Sequence, residues 1–343
     1  MAFHPLVGKH SGKTLARLVT TTLHEYQIGS QLLALTADNA SNNHRLRKEL
    51  EKNLRKEGII WNSDAGTIRC MAHVIQLAVK KFLGVLNSLA KNKSANTHLS
   101  ATHLSRIQPN YISFSNTLSK IRALSIAVNS SPQQLEAFKS IQDPDDRAFR
   151  DPKKSSSIRV GLIQDVKTRW GSVYSMLERA WEMKIAIHKW INLDMNRYRY
   201  SVLQLKEEEW TLVDDLLNIL QPFSIITTAI GTTLEVSVHQ MFQLYNWLFE
   251  QLEKVGDTWR ARAHRSKHAE ELVRAIDAAR EKLAEYYGKT DGDTGTFYNL
   301  ATILNPSTKL SLYKVGIIHL QSLFMRLIYY QRVRCSKQRL TNL

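Results

Sequence analysis

An α/β segment running into a longer, wholly helical one is the fold class this sequence predicts. Two observations carry the prediction. Between two stretches of helical spacing lies a short apolar run of strand length, residues 31–37. From residue 163 to residue 287, by contrast, the pattern is helical throughout, with apolar stripes recurring about every 3.6 residues.

Taken in order, residues 15–26 place Leu15, Leu18, Val19, Leu23 and Tyr26 on one helical face. Residues 31–37 follow Gly29 and predict a strand buried on both faces. The polar cluster from Asp38 to Asn43 suits a strand exit and the cap of a helix. A basic helix over 43–57 then stops near Gly58. Residues 67–70 predict a second strand, and 72–83 a helix with Val74, Ile75, Leu77, Ala78, Phe82 and Leu83 turned inward. Residues 87–105 are rich in Ser, Asn, Lys and Thr, while 142–157 are charged and carry Pro144 and Pro152; both read as loops. Helices follow over 172–190, 206–220, 238–255 and 268–287. Glu207, Glu208 and Glu209 sit in a first turn, where the helix dipole favours acids. A Gly/Asp/Thr loop over 288–295 precedes a last element, 297–304, which Pro306 ends.

Composition narrows the function classes. Lys and Arg outnumber Asp and Glu by 47 to 31, a net charge of +16, so polyanions and above all nucleic acid are attracted. A basic protein that binds ribosomes or membrane surfaces has the same balance. Two cysteines, Cys70 and Cys335, argue against a disulfide scaffold. No apolar run approaches the roughly 18 residues of a membrane span. The N-terminus lacks a secretory leader pattern, so a soluble intracellular protein is expected.

Asp38 closes the first predicted strand, where a carboxylate is held at the rim of a sheet and can bind a metal. A helix cap is the competing reading of the same position. Three further segments add to it: Ile68 to His73 with the Cys-x-x-His spacing of Cys70 and His73; Asp165 to Ser172 with Arg169-Trp170, followed by Met176 to Ala180; and Ala301 to Lys309. In this order and at these separations they resemble hAT transposases of the hobo and Activator type, from about residue 3 to residue 313. Glu209-Trp210 through Phe223 and Thr227 is similar to that family's helical region.

The resemblance implies an α/β ribonuclease-H-like sheet, incomplete in this chain, interrupted by a large all-α insertion, predominantly helical overall. It also implies cut-and-paste DNA transposition, in which three carboxylates hold two Mg²⁺ ions about 3.5–4 Å apart. Asp38 matches the second acid of that triad, a catalytic and metal-binding role. Cys70 and His73 match the family's Cys-x-x-His motif, giving His73 a catalytic-support role and Cys70 a place facing DNA. The residues alone read equally as a small core cysteine and a satisfied helical histidine. A structural zinc site would need four ligands, and Cys335 is the one other cysteine. Arg169-Trp170 matches the Arg-Trp pair, with Trp170 stacked on a flipped base and Arg169 on a phosphate; stacking is worth about 1–3 kcal/mol per base. Packing of Trp170 into the core is the alternative. Asp165 could cap, pair with Arg169 or take part in catalysis.

The sequence divides into a partial ribonuclease-H-like domain (1–86), a loop-rich link and start of the insertion (87–162), the helical insertion and return towards the core (163–313), and an unmatched basic tail (314–343). No zinc finger, first catalytic Asp or catalytic Glu of the family pattern is matched, and residues 315–343 contain no Asp or Glu. A truncated, transposase-derived nuclear protein is therefore expected, poor in Mg²⁺ affinity and catalytically inactive alone. Its expected partners are DNA and intact transposase, with no membrane and no small-molecule substrate. A domesticated DNA-binding or regulatory protein is the alternative. The helical part is expected to outlast the α/β part on unfolding.

Overall fold

The computed structural model describes residues 11–87, 107–143, 159–166, 170–232, 238–263, 267–290 and 295–306. These form twelve α-helices and two short strands among the described residues, a predominantly helical build. The chain separates into two compact units. One comprises residues 1–68, 234–243 and 289–343, and the other residues 69–233 and 244–288, whose long elements among the described residues are all helices.

In the first unit, α1 (Gly12–Glu25) starts at Ser11, whose hydroxyl accepts from the Thr14 amide at 3.2 Å. It packs alongside α2 (Ser41–Lys56), and three contacts fix the register. Gly12 lies so near Arg45 that a Cβ on it would come within 2.6 Å of the Arg45 Cβ. Asn53 Nδ2 donates to Thr20 Oγ1 at 3.2 Å, and His24 Nε2 meets Glu57 Oε2 at 2.8 Å. Each pair is offset by 33 positions, so the two helices run parallel. Ala16, Leu23, Leu50, Leu54 and Trp61 form the core of this unit, with Val19, Leu32, Leu35 and Ile59 against it. Gly66 admits the Trp61 indole where any side chain would collide with it at 2.7 Å.

The first strand is shorter and more open than its sequence predicts. Residues Gly29–Gln31 form a 3₁₀ turn, closed by Gln31 N donating to the Ile28 carbonyl, which takes the start of the apolar run out of any ladder. Strand β1 is only Leu35–Ala37, half-buried, and Leu33 is 69% exposed while its carbonyl accepts from Trp61 Nε1. Burial on both faces is therefore corrected: β1 pairs with β2 (Thr67–Arg69) in a two-stranded sheet, the whole sheet among the described residues. Two strands alone do not define the incomplete ribonuclease-H-like sheet expected.

The second unit is built on α3 (Met71–Asn87), which packs most extensively against α11 (Lys267–Tyr287). Met71, Val74, Ile75, Ala78, Val79, Phe82 and Leu86 are buried; Leu77 and Leu83 are only half-buried. The stretch read as loop-rich holds two helices, α4 (Phe114–Val128) and α5 (Pro132–Ser140), started by Ser113 and Ser131 hydroxyls that accept from Asn116 and Gln134 amides. Where one helix over 172–190 was expected, α6 (Trp170–Glu182) and α7 (Lys184–Ile191) part at Met183, followed by α8 (Asp194–Tyr200). Helix α9 (Glu207–Thr232) continues well past residue 220, with Pro222 buried within it, and packs against α6, α4 and α3. Helix α10 (Met241–Ala263) joins the two units in sequence. Helix α12 (Thr296–Leu304) returns to the first, where Tyr298 meets Phe242 at 6.3 Å. Among the described residues no helix is long and apolar enough to cross a membrane.

Candidate functional site

Asp38 follows β1 directly and is exposed. Its Oδ1 accepts from the Ala40 amide at 2.9 Å and from Asn43 Nδ2 at 2.6 Å. The carboxylate thus organises the turn that feeds α2, two positions ahead of the Ala40 cap, whose methyl side chain cannot accept a bond itself. This is the capping chemistry that competed with metal binding in the sequence. Among the described residues, no group of three or more His, Cys, Asp or Glu could hold a metal ion. One exposed carboxylate engaged by its own turn does not fit a two-cation centre, which needs several carboxylates around closely spaced ions.

Cys70 and His73 stand at the other end of the β2–α3 junction. Cys70 is a free, half-buried cysteine whose carbonyl accepts from the His73 and Val74 amides at 3.1 and 3.2 Å, closing the first turn of α3. His73 lies in that turn, half-buried. The Cys-x-x-His spacing therefore coincides with one helical turn. Both belong to the helical unit, as does Trp170, whereas Asp38 belongs to the first.

Trp170 opens α6 and is 5% exposed. Its ring meets Phe223 of α9 edge-on at 6.2 Å, and its amide donates to Gln76 Oε1 of α3 at 3.2 Å. Held this way the indole takes the packed arrangement that the sequence leaves open beside base stacking. Arg169 lies outside the described residues. Asp165 has a different partner from the one expected: Arg122 of α4 grips it through Nε at 2.9 Å and a terminal nitrogen at 2.8 Å.

Sequence reasoning missed the most deeply placed charges. Lys120 of α4 and Glu209 of α9 pair at 2.7 Å with both side chains fully buried. Lys120 Nζ also donates to the Gln204 carbonyl, and Glu209 accepts from the Lys206 amide and from Thr117 Oγ1. Glu209 read as one of three surface acids in a first turn; the signal for its burial was Trp210 beside it and the lone Lys120 among the apolar positions of 114–128. Gln142 was missed too. Its amide donates to the Val160 carbonyl at 2.6 Å and accepts from the Val160 amide at 3.0 Å, clasping the two ends of the segment between them.

Comparison with known proteins bears on what this architecture belongs to. Residues 68–219 match the family model of the ZBED1 RNase-like helical domain, a span that begins where the helical unit begins. The chain is 34% identical over 316 residues to a Talaromyces stipitatus protein named as the transcriptional regulator tpeD, covering 92% of this chain and 32% of that protein. It is 26% identical over 296 residues to a Zea mays protein named as an AC transposase, covering 84% of this chain and 30% of the relative. A second Zea mays protein, named as an AC9 transposase, is 28% identical over 205 residues, 58% of this chain and 19% of the relative. The chain thus spans about a third or less of the length of these curated relatives. No solved structure matches it. The helical-domain match and the transposase relatives together make this an hAT-type, transposase-derived chain.

Proposed function

We propose that this chain is the DNA-binding part of a transposase-derived nuclear protein and does not cut DNA by itself. The observation that carries the reading is the state of Asp38. The residue matched to a catalytic acid is engaged by its own turn, and among the described residues no group of three or more His, Cys, Asp or Glu could hold a metal ion, in a chain of net charge +16. Mg²⁺ belongs to the proposal only through carboxylates beyond the described residues. His73 and Cys70, in the first turn of the helix that anchors the helical unit, hold the junction in place, and Arg169 contributes one phosphate contact. The regulatory reading is favoured over strand transfer by the Talaromyces stipitatus relative, named as a transcriptional regulator and aligned over 92% of this chain. Association with a full-length transposase is compatible with either.

The test uses the purified 343-residue chain and a labelled duplex. Binding is expected to be indifferent to sequence, with log affinity falling linearly and steeply with log salt as counterions are released. No nicking is expected with Mg²⁺ or Mn²⁺. Nicking that disappears in Asp38→Asn would overturn the non-catalytic reading, and affinity flat in salt would overturn the DNA-binding one.

A further inference from the structure

We propose that the outer groove between α1 and α2 is a binding site for the phosphodiester backbone of one DNA strand, an inference that rests on the DNA-binding reading above. The parallel register decides which side chains line that groove. In parallel helices the sides that face the same way lie on opposite sides of the seam in angular sense, and the buried residues identify the inner one. On α1, Val19 and Leu23 turn to the core and Lys13 and Arg17 to the outside. On α2, Leu50 and Leu54 turn to the core and Arg45, Lys52 and Lys56 to the outside. All five cations are exposed, and none of them has an ion-pair partner among the described residues. Their neighbours Lys48 and Arg55 are tied to Asp64 and Glu51.

The spacing fits a polyanion. With an offset of 33, Lys13 stands level with residue 46 and Arg17 with residue 50. The five cations therefore climb the groove over eleven residues, about 16 Å at about 1.5 Å per residue. That is roughly one positive charge per 3 Å of axis, close to the roughly 3.4 Å per phosphate along one strand of a duplex. Glu49 is the single acid on this side of α2 and the one element that opposes the anion.

The experiment compares variants of equal charge on the whole chain, using fluorescence anisotropy of a labelled 30-base-pair duplex against salt. Lys52→Gln/Lys56→Gln is expected to reduce the slope of log affinity on log salt by about 1.8 and to weaken binding at least about tenfold. Arg197→Gln/Arg199→Gln, the same charge removed from exposed positions on α8, is expected to leave the slope nearly unchanged. Glu49→Gln is expected to tighten binding about threefold, which loss of folding cannot mimic. Equal losses from the two double variants would overturn the groove while leaving DNA binding intact. Wild-type protein that does not bind the duplex would overturn both. An unchanged Glu49→Gln affinity would also count against the groove, as would tighter binding to anionic lipid vesicles than to DNA.

Discussion

Lys120 carries its charge with no access to water, and Glu209 answers it through a network in which each terminal group has more than one partner. Such a pair contributes little net stability against an apolar pair of the same shape, yet breaking it strands a buried charge. Lys120→Met is therefore expected to lower the unfolding free energy by about 3–5 kcal/mol, and Lys120→Met/Glu209→Leu to recover most of it. Chemical denaturation of the two variants checks this; equal losses would show that the network, not the stranded carboxylate, matters. Trp170→Ala is expected to cost a comparable amount, about 3–5 kcal/mol, because the indole is buried against Phe223. If that variant melts like wild type yet loses affinity for unpaired DNA, the packing role is wrong. The residues alone do not choose between these roles for Trp170, since an Arg-Trp pair before a helix serves either, and its burial supports the packed one.

At the scale of the element, α9 holds a side chain out of balance with neutral pH. Burial, with Asp214 adjacent and Arg262 opposing, pushes the Asp215 carboxyl from 3.8 up to about 6. Between those values the folded protein keeps a proton that the unfolded chain has lost, so stability falls as pH rises through the window and the deficit is complete above it. Asp215→Asn is expected to stabilise the protein by about 1 kcal/mol at pH 7.5, a figure discounted for solvent screening of a half-exposed group, and to have little effect near pH 3.5. Melting curves across pH decide it; a gain of equal size at both extremes would refute the titration argument. Element boundaries were legible where caps or apolar stripes are strong, as for α1, α11 and α12. They were not legible where tertiary packing overrides local signals: the helix expected over 206–220 stops short of Pro222, yet α9 continues through it with the ring buried. The 3₁₀ turn at Gly29–Gln31 hid in the same way inside an apolar run that looks like strand. For α1 and α2 the decisive residue is Gly12. Gly12→Val is expected to part the helices and cost about 1–3 kcal/mol, with faster amide exchange confined to residues 12–56.

For the molecule as a whole, the two units differ in how their cores are assembled. The helical unit encloses Leu118, Ile121, Leu124, Leu177, Leu216, Leu220 and Phe223, all without exposure, whereas the core cluster of the first unit is formed by residues of α1 and α2 with Trp61. Hydrogen exchange is therefore expected to be slowest in α3, α9 and α11 and to reach α1 and α2 well before global unfolding. Slowest exchange in α1 and α2 would reverse the order of stability. The family was legible because its motifs follow one another at fixed separations over most of the chain. Residues 307–343, including Ser307 to Lys309 of the last motif and the basic tail, lie outside the described residues, as do residues 88–106 and 144–158 of the expected loops.

The clasp between Gln142 and Val160 has a consequence for how this chain tolerates change. Two points of the chain have to be brought together to graft new material into a helical scaffold; here one amide side chain already holds the exit and the re-entry points side by side, at 2.6 and 3.0 Å. The entropy of closing whatever lies between them grows only with the logarithm of its length, about 0.6 kcal/mol for each doubling. Insertions between Gln142 and Val160 are therefore expected to change the melting temperature little while Gln142 is kept, which thermal melts of a length series would check. Gln142→Ala is expected to lower the melting temperature by a similar amount whatever the length inserted.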